Sequence, residues 1–338
     1  MNHCLCRAIG ACRARPMQAA ALALPLLLLA LLGAAPAPVV AAEAPISCPP
    51  ATAPLGIERF QEGLRQASDH GFLWRLDKDG RSSYLYGTIH AARDEWMFPG
   101  PRIAAALGAS HILALELDVL DPGILARLAA SARAAPGEPL AAPLQERIDR
   151  RMVAECIDPA PWHAFAPEFQ IASLAVMAAR REGFDPAYAI DVVLALVARQ
   201  LGKPVVSLET PEAQMAALRL PSRAATIEFV ESSLDELDTG RAGPLIARLV
   251  RAWTDGDWAE LSDYSRWCEC LSTDAERTAM KRLLDDRNPV LATAIAALHG
   301  RGQRVFAGVG SLHMIGPTGL PMLLAAHGFR VVPVPLAR

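Results

Sequence analysis

The sequence lacks three things that would have placed it quickly: an excess of positive charge, a clean membrane-length apolar run, and the short motifs of the commonest enzyme classes. Its 33 Lys and Arg stand against 36 Asp and Glu, a net charge of −3. Phosphate backbones need clustered basic side chains, so nucleic acid is a poor partner. No Gly-x-Ser-x-Gly elbow, His-Glu-x-x-His helix or phosphate-binding glycine loop occurs along the 338 residues. The serine-elbow, zincin and P-loop signatures are therefore missing. Aromatic residues make up only 6 %, yet 52 % of the chain is hydrophobic and 20 % charged, enough to bury one large core or two modest ones and to argue against disorder.

What is present begins with an export signal. Arg7, Arg13 and Arg15 precede the apolar core "ALALPLLLLALLGAA", and "VVAA" before Glu43 offers small residues at a cleavage position. Residues 1–42 read as a cleavable signal peptide, giving a periplasmic or secreted protein with no stable membrane insertion afterwards. Pro25 breaks the run short of about 20 clean residues, which disfavours an uncleaved anchor. No cysteine follows the apolar core at a suitable place for a lipoprotein. Cleavage removes three arginines and no acid, leaving a charge near −6.

Four cysteines remain, Cys48, Cys156, Cys268 and Cys270. An even count in an exported chain suggests up to two disulfides. Cys268 and Cys270 stand too close for an easy mutual bridge, so the expectation is that they pair with Cys48 and Cys156. Zinc at "CEC" is the sharper reading, but no second Cys or His pair lies nearby to complete it.

Residues 43–56 form a Pro-rich lead-in, and the fold is expected over 57–338 as one domain. "IERFQEGLRQASDHG" has helical spacing up to Gly71, and two strands flank the Asp-Gly turn in "FLWRLDKDGRSSYLYGTIH". "HILALELDV" is apolar with almost no alternation, as a strand covered on both faces requires. From about 121 to 300 the pattern is mainly helical, with a short strand in "KPVVSLE". "QRVFAGVGSLH" and "RVVPVPL" supply the last strands. The fold class is therefore α/β: a mixed sheet built from N- and C-terminal strands, with flanking helices and a mainly helical central insertion.

Two strands end on Gly-x-x-His, at Gly87 to His90 and again at Gly310 to His313, about 220 positions apart. Glycine there serves close backbone approach or an unusual φ. Two further strands end on carboxylates, Glu116 with Asp118 and Glu209. Parallel strands would bring His90, Glu116, Glu209 and His313 to one edge, where open α/β sheets place their ligand crevice. Two imidazoles and one or two carboxylates suit a divalent metal with an open position for water, and they equally suit metal-free general-base catalysis. Each residue also has a structural reading: either histidine as a satisfied core imidazole, Glu116 as a solvated strand terminus, Glu209 as the cap of the helix opening at "TPEAQM". In "DDRNP" Asn288 reads as a helix cap with Pro289 in the first turn, and Arg287 could reach a substrate carboxylate or an oxyanion. His111 reads as structural, and His70, His163, His299 and His327 as surface or capping residues. Ser311 carries no mark of a nucleophile.

The paired motifs, with "LALELD", "GKPVVSLET", "DRNP" and "VFAGVGSLHMIGPTGLPMLLAAHGFRVVPV", resemble the TraB/PrgY/GumN family, which includes the TIKI metalloproteases. The resemblance spans about residues 70–335. It implies a fold related to the erythromycin-esterase and ChaN-like groups and, in TIKI-type members, metal-dependent peptide cleavage. By motif match it implies His90, Glu116 and His313 as the metal site, while Glu209 and Arg287 match further family motif positions and are expected as catalytic residues; the expected ion is divalent, Zn, Mn or Co. The expectation is an exported metal-dependent hydrolase, a peptidase first, acting on a peptide or small-molecule substrate. A non-catalytic peptide- or glycan-binding protein and a metal-free hydrolase with a His base stay open as alternatives.

Overall fold

The computed structural model describes residues 47–50, 57–134 and 139–336. The expected signal peptide, most of the Pro-rich lead-in and the last two residues lie outside them. Among the described residues no helix is long and apolar enough to cross a membrane.

Six strands form one mixed sheet: β1 (Phe72–Lys78), β2 (Arg81–Thr88), β3 (Ile112–Leu115), β4 (Val205–Ser207), β5 (Val305–Gly310) and β6 (Arg330–Val334), in the order β4-β3-β5-β2-β1-β6. β1 and β2 make a hairpin whose two turn residues, Asp79 and Gly80, both take positive φ. That is the turn geometry matching strand twist. β2, β5, β3 and β4 run parallel to one another, while β1 and β6 are antiparallel to their neighbours. Every residue of β3 and β5 is buried, which explains their unbroken apolar sequence. Pro333 has no N–H to give and sits on the edge strand β6.

Sequence expectation and structure differ in a few places. The first helix is Ile57–Gln66 and stops short of Gly71. The strand in "HILALELDV" is only four residues long, so Asp118 falls beyond it and pairs with Arg199 at 2.7 Å. His299 is no surface residue: it is fully buried, with Ser83 Oγ at 2.8 Å and the Lys78 carbonyl at 3.0 Å. The expected cysteine pairing is overturned, because the bridges are Cys48–Cys156 and Cys268–Cys270. The local bridge closes because Glu269 between the two cysteines adopts φ 54°, folding the chain back on itself.

Two apolar cores result. The larger packs both faces of the sheet, and the smaller lies within the insertion, where Ile148, Met152, Ile171, Leu174, Val230 and Leu234 meet. Trp253, at the end of the helix Ala242–Thr254, fastens the insertion to the sheet. Its indole N–H donates to the Gly87 carbonyl at 2.7 Å, and its own carbonyl accepts from Gly71 N at 3.0 Å. Gly71 has φ 79° and no room for a side chain, since a Cβ would stand 2.5 Å from the indole nitrogen.

Candidate active site at the carboxyl ends of four parallel strands

The parallel strands deliver their terminal residues to one edge. His90 follows β2, Glu116 follows β3, Glu209 follows β4, and His313 lies in the 3-10 turn Ser311–Met314 after β5. Because β5 pairs with both β2 and β3, its glycine stands in the middle of the group. A Cβ placed on Gly310 would have Glu116 Oε1, His313 Cδ2 and His90 Nε2 all within 4 Å. On Gly87 it would strike Ser311 Oγ at 2.7 Å. Neither glycine has a positive φ, so both motifs need glycine for close approach and not for backbone conformation.

Glu116 is the hub. Its Oε1 accepts from Gly310 N at 2.8 Å, and its Oε2 meets the Arg287 guanidinium. Burial alone would raise its pKa, but His313, Arg287 and His90 outweigh that and hold the carboxyl well below the usual range. Arg287 reaches in from the start of the helix Asn288–Gly300 and also grips Glu209 through two nitrogens, with Nε to Oε2 at 3.2 Å. Glu209 therefore does not cap the helix Pro211–Leu218, a task Thr210 performs through Ala213 N. Burial and the neighbouring Glu116 push the Glu209 pKa up against the pull of Arg287 and Gln214.

His313 is fixed in one tautomer. The Asn288 amide donates to the Thr318 carbonyl at 2.9 Å, which leaves its Oδ1 facing His313 Nδ1 at 2.5 Å. Nδ1 must then carry the proton, and the Nε2 lone pair faces Arg287 Nη1 at 3.3 Å and Glu116 at 3.9 Å. Burial lowers its pKa to about 4, so the ring stays neutral. Asn288 is thus the first helical residue and an orienter of His313, without the capping bond expected of it. His90 stands differently. Its side chain is 56 % exposed and Nδ1 faces Asp191 Oδ1 at 3.5 Å. Lost hydration opposes the charge, but Asp191 and then Glu116 push the pKa upward. Solvent at so open a ring screens both carboxylates and keeps the shift smaller than a sealed site would give.

Glu116, Arg287 and His313 form the buried floor of a cavity of about 340 Å³, and His90 lines it from the open side. Glu209 does not line it; it lies behind Arg287 and borders a separate hollow with Ala213, Arg282 and Val290. Ser311 donates to the Thr88 carbonyl at 3.0 Å, tying the two motif strands together. Sequence reading missed Asp191 and the orienting role of Asn288. An Asp one residue into an apolar helix carries no signal of its own, and only the "DRNP" cluster around Asn288 marked that position out.

Among the described residues no group of three His, Cys, Asp or Glu side chains is arranged to hold a metal ion. The donor chemistry still suits one. Both imidazoles have Nδ1 turned toward an orienting oxygen, Asp191 for His90 and Asn288 for His313, which leaves each Nε2 directed to the Glu116 side.

The geometry defines a site at the crevice of an α/β sheet, built on two matched histidines and a buried carboxylate. A family model for the TraB/PrgY/gumN family matches residues 72–333, and the chain belongs to that family. No curated protein and no solved structure matches it.

Proposed function

We propose that the chain is an exported hydrolase that cleaves a carboxylic amide bond, as in a peptide, or an ester bond, with a divalent ion held by His90, Glu116 and His313. The observation that supports this is the convergence of those three residues with Arg287 on one cavity. Residues 1–42 would direct the protein to the periplasm or outside the cell. A bound ion would supply Lewis acidity at the carbonyl and a more acidic water.

The chain's own residues do the remaining work. Asn288 keeps the His313 lone pair aimed inward. Arg287, anchored from behind by Glu209, presents its charge beside the carbonyl site, where a developing oxyanion would stand. His90, open to solvent and held from behind by Asp191, offers its Nε2 on the Glu116 side. The test is metal analysis of the purified protein beside cleavage assays on peptide, N-acyl and O-acyl substrates with and without chelator. One bound divalent ion and chelator-sensitive cleavage are expected, both lost in His90→Ala and His313→Ala. Stoichiometric metal retained by both variants would overturn the ligand set. A metal-free hydrolase is the second reading, favoured by the guanidinium already lying against Glu116 and His313 Nε2; activity that survives chelation would select it.

A further inference from the structure

The walls of the cavity say more about its occupant than the floor does. They come from three helices of the insertion, Pro167–Ala178, Ala242–Thr254 and Asp274–Leu283, and from the turn after the last. The side chains they present are Val176, Ile246, Leu249, Met280, Leu283 and Leu284. All six remain partly open to solvent and share one apolar surface, an arrangement that marks a binding surface for an apolar ligand.

Those walls hold no hydrogen-bonding side chain, and helix backbones satisfy their own N–H and C=O groups. An extended peptide lying there would bring an amide N–H and carbonyl at each residue with nothing to pair them, at a large desolvation cost. A hydrocarbon chain brings none. Polar groups gather at the floor alone. Among them Thr88 is 1 % exposed, and its Oγ1 has no hydrogen-bond partner. A substrate whose polar head reached the floor would supply that partner.

We propose that the acyl side of the scissile bond is a medium-length aliphatic chain, so that the substrate is an N-acyl or O-acyl compound and not an extended peptide. The proposal rests on the hydrolase reading above. Water adds its oxygen to the acyl carbon, the bond from that carbon to the amine or alcohol heteroatom breaks, and the leaving heteroatom takes the proton. A free fatty acid and an amine or alcohol result.

The test measures kcat/KM of the purified protein, with added divalent metal, on p-nitroanilides and p-nitrophenyl esters carrying acyl chains from two to sixteen carbons, beside peptide p-nitroanilides. Direct binding of a non-hydrolysable decanoyl ketone is followed by calorimetry. The expected result is a rise of about three- to fourfold per methylene up to a medium-length optimum. Leu249→Trp should move that optimum to shorter chains and Leu283→Ala to longer ones, each variant checked for an unchanged circular dichroism spectrum. Peptide anilides turned over faster than every acyl anilide, or rates flat with chain length, would overturn the proposal. Tight decanoyl ketone binding without turnover of any substrate would support the acyl site and overturn the hydrolase reading instead.

Discussion

The two Gly-x-x-His motifs share a spelling and an edge of the sheet, but they place their histidines in opposite surroundings. His313 is buried, neutral and locked by Asn288, with its lone pair beside Arg287. His90 stands at the open side with its side chain 56 % exposed and a carboxylate behind it. The difference arises in the segment downstream of each strand. β5 runs directly into a 3-10 turn that folds under the helix Asn288–Gly300, whereas β2 runs into a loop. One motif thus yields a buried, neutral ring fixed by an amide, and the other a solvent-open ring backed by a carboxylate.

This contrast can be broken most sharply at Arg287, which touches the buried motif and both carboxylates. Arg287→Met would leave Glu116 and Glu209 buried without their cation and should cost about 3–5 kcal/mol in a denaturant melt. A loss under about 1 kcal/mol would mean that the three groups do not act as a buried unit. Next come the histidines themselves. His90→Ala and His313→Ala should each lower turnover by about 10²–10⁴, but only His313→Ala should also reduce stability, by about 1–3 kcal/mol, since it strands Asn288 Oδ1 in the interior. Equal melts for the two variants would erase the distinction. The orienting residues should show the same asymmetry on a smaller scale: Asn288→Ala and Asp191→Ala should each weaken metal affinity about 10- to 100-fold, with a stability loss confined to Asn288→Ala.

The smallest effect lies outside both motifs and supplies a baseline for pH studies. Burial, with Glu276 and Glu269 nearby and only Arg241 opposing, raises the Glu236 pKa to about 7. Below its ordinary value of 4.5 the group is protonated in both states and contributes nothing. Between 4.5 and 7 the unfolded chain gives up its proton first, so stability falls as pH rises and then levels off. Glu236→Gln should flatten that slope and gain less than about 1 kcal/mol above pH 7, as solvent screening allows. An unchanged pH profile of the thermal midpoint would remove Glu236 from the account.

Much of this site was legible because parallel strands advertise themselves. Buried on both faces, β3 and β5 appear as unbroken apolar runs, and the polar residues that end them stand out at Glu116 and His313. What could not be read depends on contacts between distant segments. The place of β5 between β2 and β3 is set by packing, and with it the central position of Gly310. Asp191 and Asn288 act through a histidine roughly 100 and 25 positions away in the chain, and no local pattern encodes that. The Cys268–Cys270 bridge escaped because spacing alone made it look too tight, while a left-handed Glu269 makes it possible. The cavity walls came from three helices whose half-exposed apolar faces look, singly, like ordinary surface-helix sequence.

Trp253 ties the cavity's wall to its floor. Through Gly87 and Gly71 it secures the carboxyl-terminal end of the helix that carries Ile246 and Leu249. Mechanically that makes the tryptophan a rivet: one end of a wall helix is pinned to the strand that carries the first motif, so the spacing between apolar wall and polar floor is set at this one side chain.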